Sequence, residues 1–364
     1  VPFAAALSSH PVTAHATGEV VGQVVDEIGA HPDLAVLVVS PGHRGALEDA
    51  CAAVRSLLAP TVQLGWVASE VVTGSGFWAA PAPSERGGRR DAVGLWVAHT
   101  GPVAPVRATD LSEPGWADGG AAAFERRALL MIGAAGLAPH GPLPPDLTVA
   151  GAVSDVRGAP IVLDGASYLS GAVGAALGPG VDLALLVESG RRPIGVQATA
   201  TGTEGSLLID LDGRPAMAVL EAIARDQVPA RDILLINRSL HLEVSAGAGA
   251  GSVHTVRGQD RATGALITDP EVHTGDVVQF CVRDPDEAQA RARQALAGAD
   301  GGALAWSTGP SPTGGRRPPG DEEPPPLLAC RASAILGTSG EGDGTTDAGT
   351  IAVGLFAEPR VALP

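Results

Sequence analysis

The spacing of its apolar residues limits this chain most: short runs rich in Val, Leu, Ile and Ala, each closed by Gly or Pro, recur along its length. Runs at 34–39, 62–68, 147–153, 277–282 and 351–356 have the length of strands, and none approaches the roughly 18 apolar residues of a membrane-spanning helix. With 364 residues the chain also exceeds what one hydrophobic core organises, so two domains or a duplicated unit are expected.

Val20, Val21, Val24, Val25 and Ile28 recur at helical spacing, as do Leu47, Cys51, Val54 and Leu58. Alternating with the runs at 34–39 and 62–68, they predict an α/β unit. Residues 93–99 and 103–108 read as strands paired across Gly101-Pro102, and 124–137 as a helix of strong helix formers. Short strands at 147–153, 161–163, 183–187, 194–200 and 207–211 then point to a mixed or antiparallel sheet. A helix is expected at 215–224, and Asp284-Pro285 followed by two acidic residues starts another that stops near Gly298. The fold class predicted is α/β (α+β): two related lobes with mixed, largely antiparallel sheets covered by helices.

Composition excludes several functions. A net charge of −16 opposes the phosphates of nucleic acid and anionic membranes, and an aromatic share of 3% supplies little to stack on bases. All 24 basic residues are Arg, so no Lys can form a Schiff base or a Walker-type contact. Three scattered cysteines fit a reduced cytoplasm better than a disulfide framework. The first residues lack a basic n-region, so no secretory leader is expected in them. Neither a cofactor nor a metal is expected: no histidines are paired as H-x-H or H-x-x-x-H, and His10 and His15 lie near a terminus that reads as loose.

Catalytic motifs are likewise missing. Gly337-Thr-Ser-Gly-Glu341 departs from the nucleophile-elbow spacing, and the glycine run 247–251 has no helix behind it to hold a phosphate. Cys51 and Cys281 read as core residues, and Cys330, after a Pro-rich loop, as less buried. Polar residues near glycines at strand ends remain: Glu70, Asp155, Arg192, Arg257, Asp260 and Glu341. Together they could line a small-ligand pocket in which Arg grips a carboxylate.

The order of several segments carries a resemblance. These are Gly65-Trp-Val-Ala-Ser-Glu-Val-Val-Thr-Gly74, Gly151-Ala-Val-Ser-Asp155, Ser189-Gly-Arg-Arg-Pro-Ile-Gly195, Leu208-Ile-Asp-Leu-Asp-Gly-Arg-Pro-Ala216, Val256-Arg-Gly-Gln-Asp260, and Gly337 to Glu341. Over residues 35–356 their sequence resembles the FIST family of sensory modules. Trp66 stands where that family more often has Cys or Thr, Ser69 replaces a glycine, and the stretch 307–316 lacks an often-present cysteine.

The resemblance implies an N-terminal segment (1–30), a FIST-N-like domain (31–216) and a FIST-C-like domain (217–359). It also implies a cytoplasmic input protein that recognises small molecules such as amino acids. Lacking a kinase or cyclase segment, it would signal through a protein partner. Arg192 is the expected carboxylate contact, with Asp155, Glu70 and Glu341 as polar partners and Gly151, Gly195 and Arg257 beside them. Two other readings stand next to it: a hydrolase or transferase with unrecognised catalytic residues, and an adaptor that binds only protein.

Overall fold

The computed structural model describes residues 2–73, 91–111, 124, 127–137, 147–226, 228–229, 233, 236, 239–245, 252–297, 299, 301–308, 326–332, 334–337 and 350–357. It is a mixed α/β fold of several largely antiparallel sheets with interspersed helices, one sheet closing into a β-barrel. The chain forms two compact units, Val1–Glu188 with Gln289–Pro364, and Ser189–Ala288. The sequence division at 216 falls inside the second. No helix among the described residues is long and apolar enough to cross a membrane.

The first unit contains one strand plan three times. Its first repeat runs β1 (Phe3–Ser8), α1 (Thr13–Ile28), β2 (Leu34–Val39), α2 (Leu47–Leu58), β3 (Val62–Val67), β4 (Val71–Thr73) and β5 (Val93–Ala98). The second runs β6 (Val103–Ala108), β7 (Arg127–Gly133), β8 (Leu147–Val153), β9 (Ile161–Leu163), β10 (Ala166–Tyr168) and β11 (Ala172–Leu177), and the third begins with β12 (Asp182–Glu188).

Here the second unit interrupts the third repeat. Its elements are β13 (Arg191–Pro193), β14 (Ala198–Glu204), β15 (Leu207–Leu211), β16 (Arg214–Pro215), α3 (Ala216–Asp226), β17 (Leu240–Ser245), β18 (Ser252–Gln259), β19 (Leu266–Asp269) and β20 (Val277–Arg283). Strands pair in the order β20-β14-β15-β19-β18-β17, and β17 returns to β20, which closes the ring. Leu208, Leu242, Val278, Phe280 and Val282 form its core with Leu220 and Ile223 of α3. Gly190 and Asp284, at the two ends of this insert, are joined by a backbone hydrogen bond of 2.8 Å.

The third repeat then resumes with α4 (Pro285–Ala297), β21 (Gly302–Ser307), β22 (Leu327–Arg331), β23 (Ala334–Gly337) and β24 (Ile351–Ala357). Pro285 opens α4 as the sequence predicts, and Asp284 Oδ1 accepts the N–H groups of Asp286 and Glu287 at 3.0 and 3.3 Å.

Each repeat centres on a parallel pair, β2 with β3, β7 with β8, and β21 with β22. A later strand adds antiparallel to the first of the pair, and an earlier one pairs outside it: β1-β5-β2-β3, β6-β11-β7-β8 and β12-β24-β21-β22. The hydrogen bonds repeat too. The N–H groups of Ala68, Ser154 and Ala332 donate to the carbonyls of Val39, Gly133 and Ser307, and those of Ser40, Ala134 and Thr308 to Ala92, Gly171 and Thr350. The strand after each parallel pair leaves its own repeat: β4 pairs with β22, β9 with β3, and β23 with β8. Exchange is therefore cyclic, and every sheet of this unit is completed by a neighbour.

One core serves all three sheets. Leu64, Trp66 and Trp96 meet Ile132, Ala152 and Val173 from the second repeat and Trp306, Cys330 and Phe356 from the third. The few aromatic residues are spent where the first and third repeats touch, with Trp96 and Phe356 ring centroids 4.8 Å apart and Phe3 5.7 Å from Trp96. The outer face of the first sheet packs under α1 and α2 through Val20, Val24, Cys51 and Val54.

Two sequence expectations are corrected. Residues 127–133 are a strand, not part of a helix, because Leu129, Leu130, Met131 and Ile132 are buried on both faces between β8 and β11. Strands β5 and β6 do not pair with each other: β5 lies between β1 and β2, while β6 joins β11. The glycine run 247–251 lies outside the described residues.

Candidate functional site

Strands β3, β8 and β22 all end where the chain must cross to a neighbouring sheet, so the residues just beyond them have to satisfy backbone groups at a corner. Ser154 does so by donating its hydroxyl to the Val67 carbonyl at 2.8 Å while accepting the Val156 N–H at 3.2 Å. Next to it Asp155 reaches into the first repeat. Its Oδ1 accepts the Ser69 N–H at 2.9 Å, and its Oδ2 accepts the Ser69 hydroxyl.

The third repeat supplies a cation. Arg331 Nε lies 3.8 Å from Asp155 Oδ2, with the two side chains 30% and 13% exposed, and the Arg331 N–H donates to the Glu70 carbonyl at 3.0 Å. Hydroxyl, carboxylate and guanidinium thus come together from one repeat each. The 3.8 Å separation is an ion pair without a hydrogen bond, so the Arg331 fork keeps donors for an anionic group.

Beneath this cluster Cys330 is buried in β22, more deeply than its Pro-rich surroundings suggest. Burial first, and the Asp155 charge second, push its thiol well above 9.0. Burial thus disfavours the thiolate that a nucleophilic cysteine needs. The same holds for Cys51, pushed up to about 12 by burial and then Glu48, and for Cys281, pushed up to about 11 by burial and then Glu243.

Of the residues expected from sequence, Asp155 lies at this corner, and Glu70 reaches it through its backbone carbonyl. Gly151 lies close by in β8, where an added Cβ would sit 1.8 Å from the Met131 carbonyl oxygen, so the β7–β8 contact demands glycine there. Arg192 and Gly195 belong to the barrel unit. Arg192 Nε is 3.9 Å from Glu287, and Gly195 adopts φ +72 with Ile223 packed where a Cβ would stand. Arg257, also in that unit, pairs with Asp269 at 2.8 Å with both side chains about 60% exposed, a solvated ion pair of small energetic weight. Asp260 accepts from Thr263 Oγ1 at 2.7 Å and from the Ala262 N–H, which lowers its pKa and marks a turn. Glu341 lies outside the described residues.

Sequence reasoning missed Ser69 and Arg331. In the sequence Ser69 stands out only as a replacement for a glycine in the 65–74 segment and Arg331 stands in no local motif, and their meeting depends on strand exchange between distant segments. Among the described residues no group of three or more His, Cys, Asp or Glu side chains is placed to hold a metal ion.

No protein-family model matches the sequence. The chain is 31% identical over 317 residues to the uncharacterized protein Rv0628c of Mycobacterium tuberculosis, covering 80% of this chain and 79% of the relative. It is also 29% identical over 300 residues to the uncharacterized protein Mb0898c of Mycobacterium bovis, covering 75% and 74%.

Proposed function

This chain belongs to the family of the Mycobacterium tuberculosis protein Rv0628c, and from the order of its glycine-flanked segments we propose that it is a FIST-type sensor of a small, anionic or zwitterionic molecule. It works in the cytoplasm and hands its state to a signalling protein partner. The observation that carries this reading is the corner where Ser69, Asp155 and Arg331 meet. A ligand carboxylate takes the open donors of Arg331, and an ammonium takes Asp155 or Glu70. The guanidinium beside Asp155 is thus Arg331, while Arg192 keeps Glu287 as a neighbour.

A ligand held by three repeats favours whichever arrangement of the strand ends binds it tighter, and that difference is the signal.

The test is a thermal-shift screen against the proteinogenic amino acids and small dicarboxylates. A ligand at about 100 times its Kd adds about 2.7 kcal/mol of stability. Arg331→Ala and Asp155→Asn are expected to abolish the shift and Arg192→Ala to keep it. Loss on Arg192→Ala alone would move the site to the barrel unit, and no shift from any compound contradicts the reading.

A further inference from the structure

The three repeats provide an internal control for what the fold itself requires. Where the first repeat has Ser8, Ser40 and Asp91, the second builds the same strand ends with Ala108, Ala134 and Ser170. The third repeat has Thr308 where the first has Ser40, and each hydroxyl accepts the N–H of the facing strand, from Thr350 and Ala92, so that hydroxyl belongs to the strand plan, whereas Thr13 and His43 answer to no such backbone contact. At the start of α1 stands a hydroxyl–imidazole contact: Thr13 Oγ1, on the first residue of the helix, lies 2.8 Å from His43 Nδ1.

His43 is 2% exposed, and its Nε2 has no hydrogen-bond partner. Burial holds its pKa below the ordinary 6.5, with His10 acting in the same direction and Asp91 opposing. Asp91 packs against Gly42, its carboxyl occupying the place a Cβ would need, and accepts the Ser40 hydroxyl at 3.3 Å. Helix α1 has no side-chain cap and no acidic residue in its first turn, so first-turn N–H groups are available beside Thr13. The N-terminus is also not loose: β1 pairs along its length with β5, and His10 stacks on His15 at 4.8 Å.

We propose that Thr13 and His43 form a nucleophile–base pair for acyl transfer from a small ester or thioester. Neutral imidazole within hydrogen-bonding distance of a hydroxyl, a carboxylate acting on the ring and an uncapped helix start are the components such a reaction uses. With the His43 proton on Nε2, Nδ1 takes the Thr13 proton as Oγ1 attacks the carbonyl carbon. The new C–O bond forms, and the carbonyl π pair moves to oxygen, where the first-turn N–H groups receive it. Collapse expels the leaving group, which takes the proton from Nδ1. Water then attacks the acyl-threonine by the same route and restores the hydroxyl.

The experiment treats the full chain with p-nitrophenyl acetate, follows p-nitrophenol release, and locates acetyl groups by tandem mass spectrometry. A burst with the acetyl group on Thr13 is expected. Thr13→Val should remove it, and His43→Gln should slow it by about 100-fold or more, while Arg257→Ala leaves it unchanged. Thr13 is partly exposed, so its valine variant should keep the parent's thermal midpoint and remains decisive if His43→Gln does not fold. Acetylation elsewhere, or a burst that survives Thr13→Val, overturns the proposal. The ligand reading at Asp155 uses other residues and stands or falls separately.

Discussion

The two units handle free strand edges in opposite ways. The barrel closes on itself, so its strands find partners mostly within nearby sequence, as β14 with β15 and β17 with β18 do. The three repeats leave their sheets open and trade strands, so β22 depends on β4, about 255 residues away in the chain. A closed unit can be inserted without disturbing its host, and an exchanged one cannot lose a part without loosening the rest. The same exchange brings side chains from three repeats to one corner, and the barrel has no counterpart of it.

Core substitutions should separate the units with the largest effect. Trp306 and Phe280 are each about 1% exposed, one in the shared core of the repeats and one in the barrel. The described tryptophans, Trp66, Trp96 and Trp306, are buried in the repeat unit and the barrel sequence 189–288 has none, so tryptophan fluorescence follows the repeats, whereas circular dichroism reports both units. Trp306→Ala should cost about 3–5 kcal/mol in the fluorescence-detected transition. Phe280→Ala should cost about as much in a dichroism transition that fluorescence does not follow. If Phe280→Ala also shifts the fluorescence-detected transition, the units are not separate.

A smaller effect comes from acid. His43 faces Asp91, His10 and Thr13, and burial depresses its pKa in the folded chain. The unfolded chain gains this proton as pH drops past 6.5 while the folded chain resists it, so the stability of the repeat unit is full above 6.5 and declines as pH falls toward the folded value. His43→Gln should flatten this part of the fluorescence-detected stability profile between about pH 7 and 5. An unchanged slope would remove His43 as its source. The smallest change is expected at Arg257→Ala on the barrel surface, within about 0.5 kcal/mol in either transition.

The local parts of this architecture are legible in the sequence. Apolar periodicity finds α1, α2, β2 and β3, and Asp284-Pro285 marks the start of α4, because spacing and caps act over a few residues. Propensity misleads at 127–133, where Ala, Leu and Met favour a helix in isolation but burial between two strands overrides it. The exchange itself leaves no local trace. Val71–Thr73 reads only as a short polar-edged run, and nothing within it names Leu328 to Cys330 as its partners. For that reason Asp155 and Glu70 stand out by their glycine-flanked positions, whereas Ser69 and Arg331 become visible only once the register places them around the same carboxylate.

Hydrogen exchange on the Trp306→Ala protein tests the exchange most directly. The substitution lies in the third repeat, and cyclic strand exchange predicts that amides of β3 and β9 in the first sheet and of β8 in the second lose protection alongside β21 and β22, while barrel strands keep theirs. Loss confined to β21, β22 and β24, with the first and second sheets unchanged, would show that the repeats stand independently and would contradict the account.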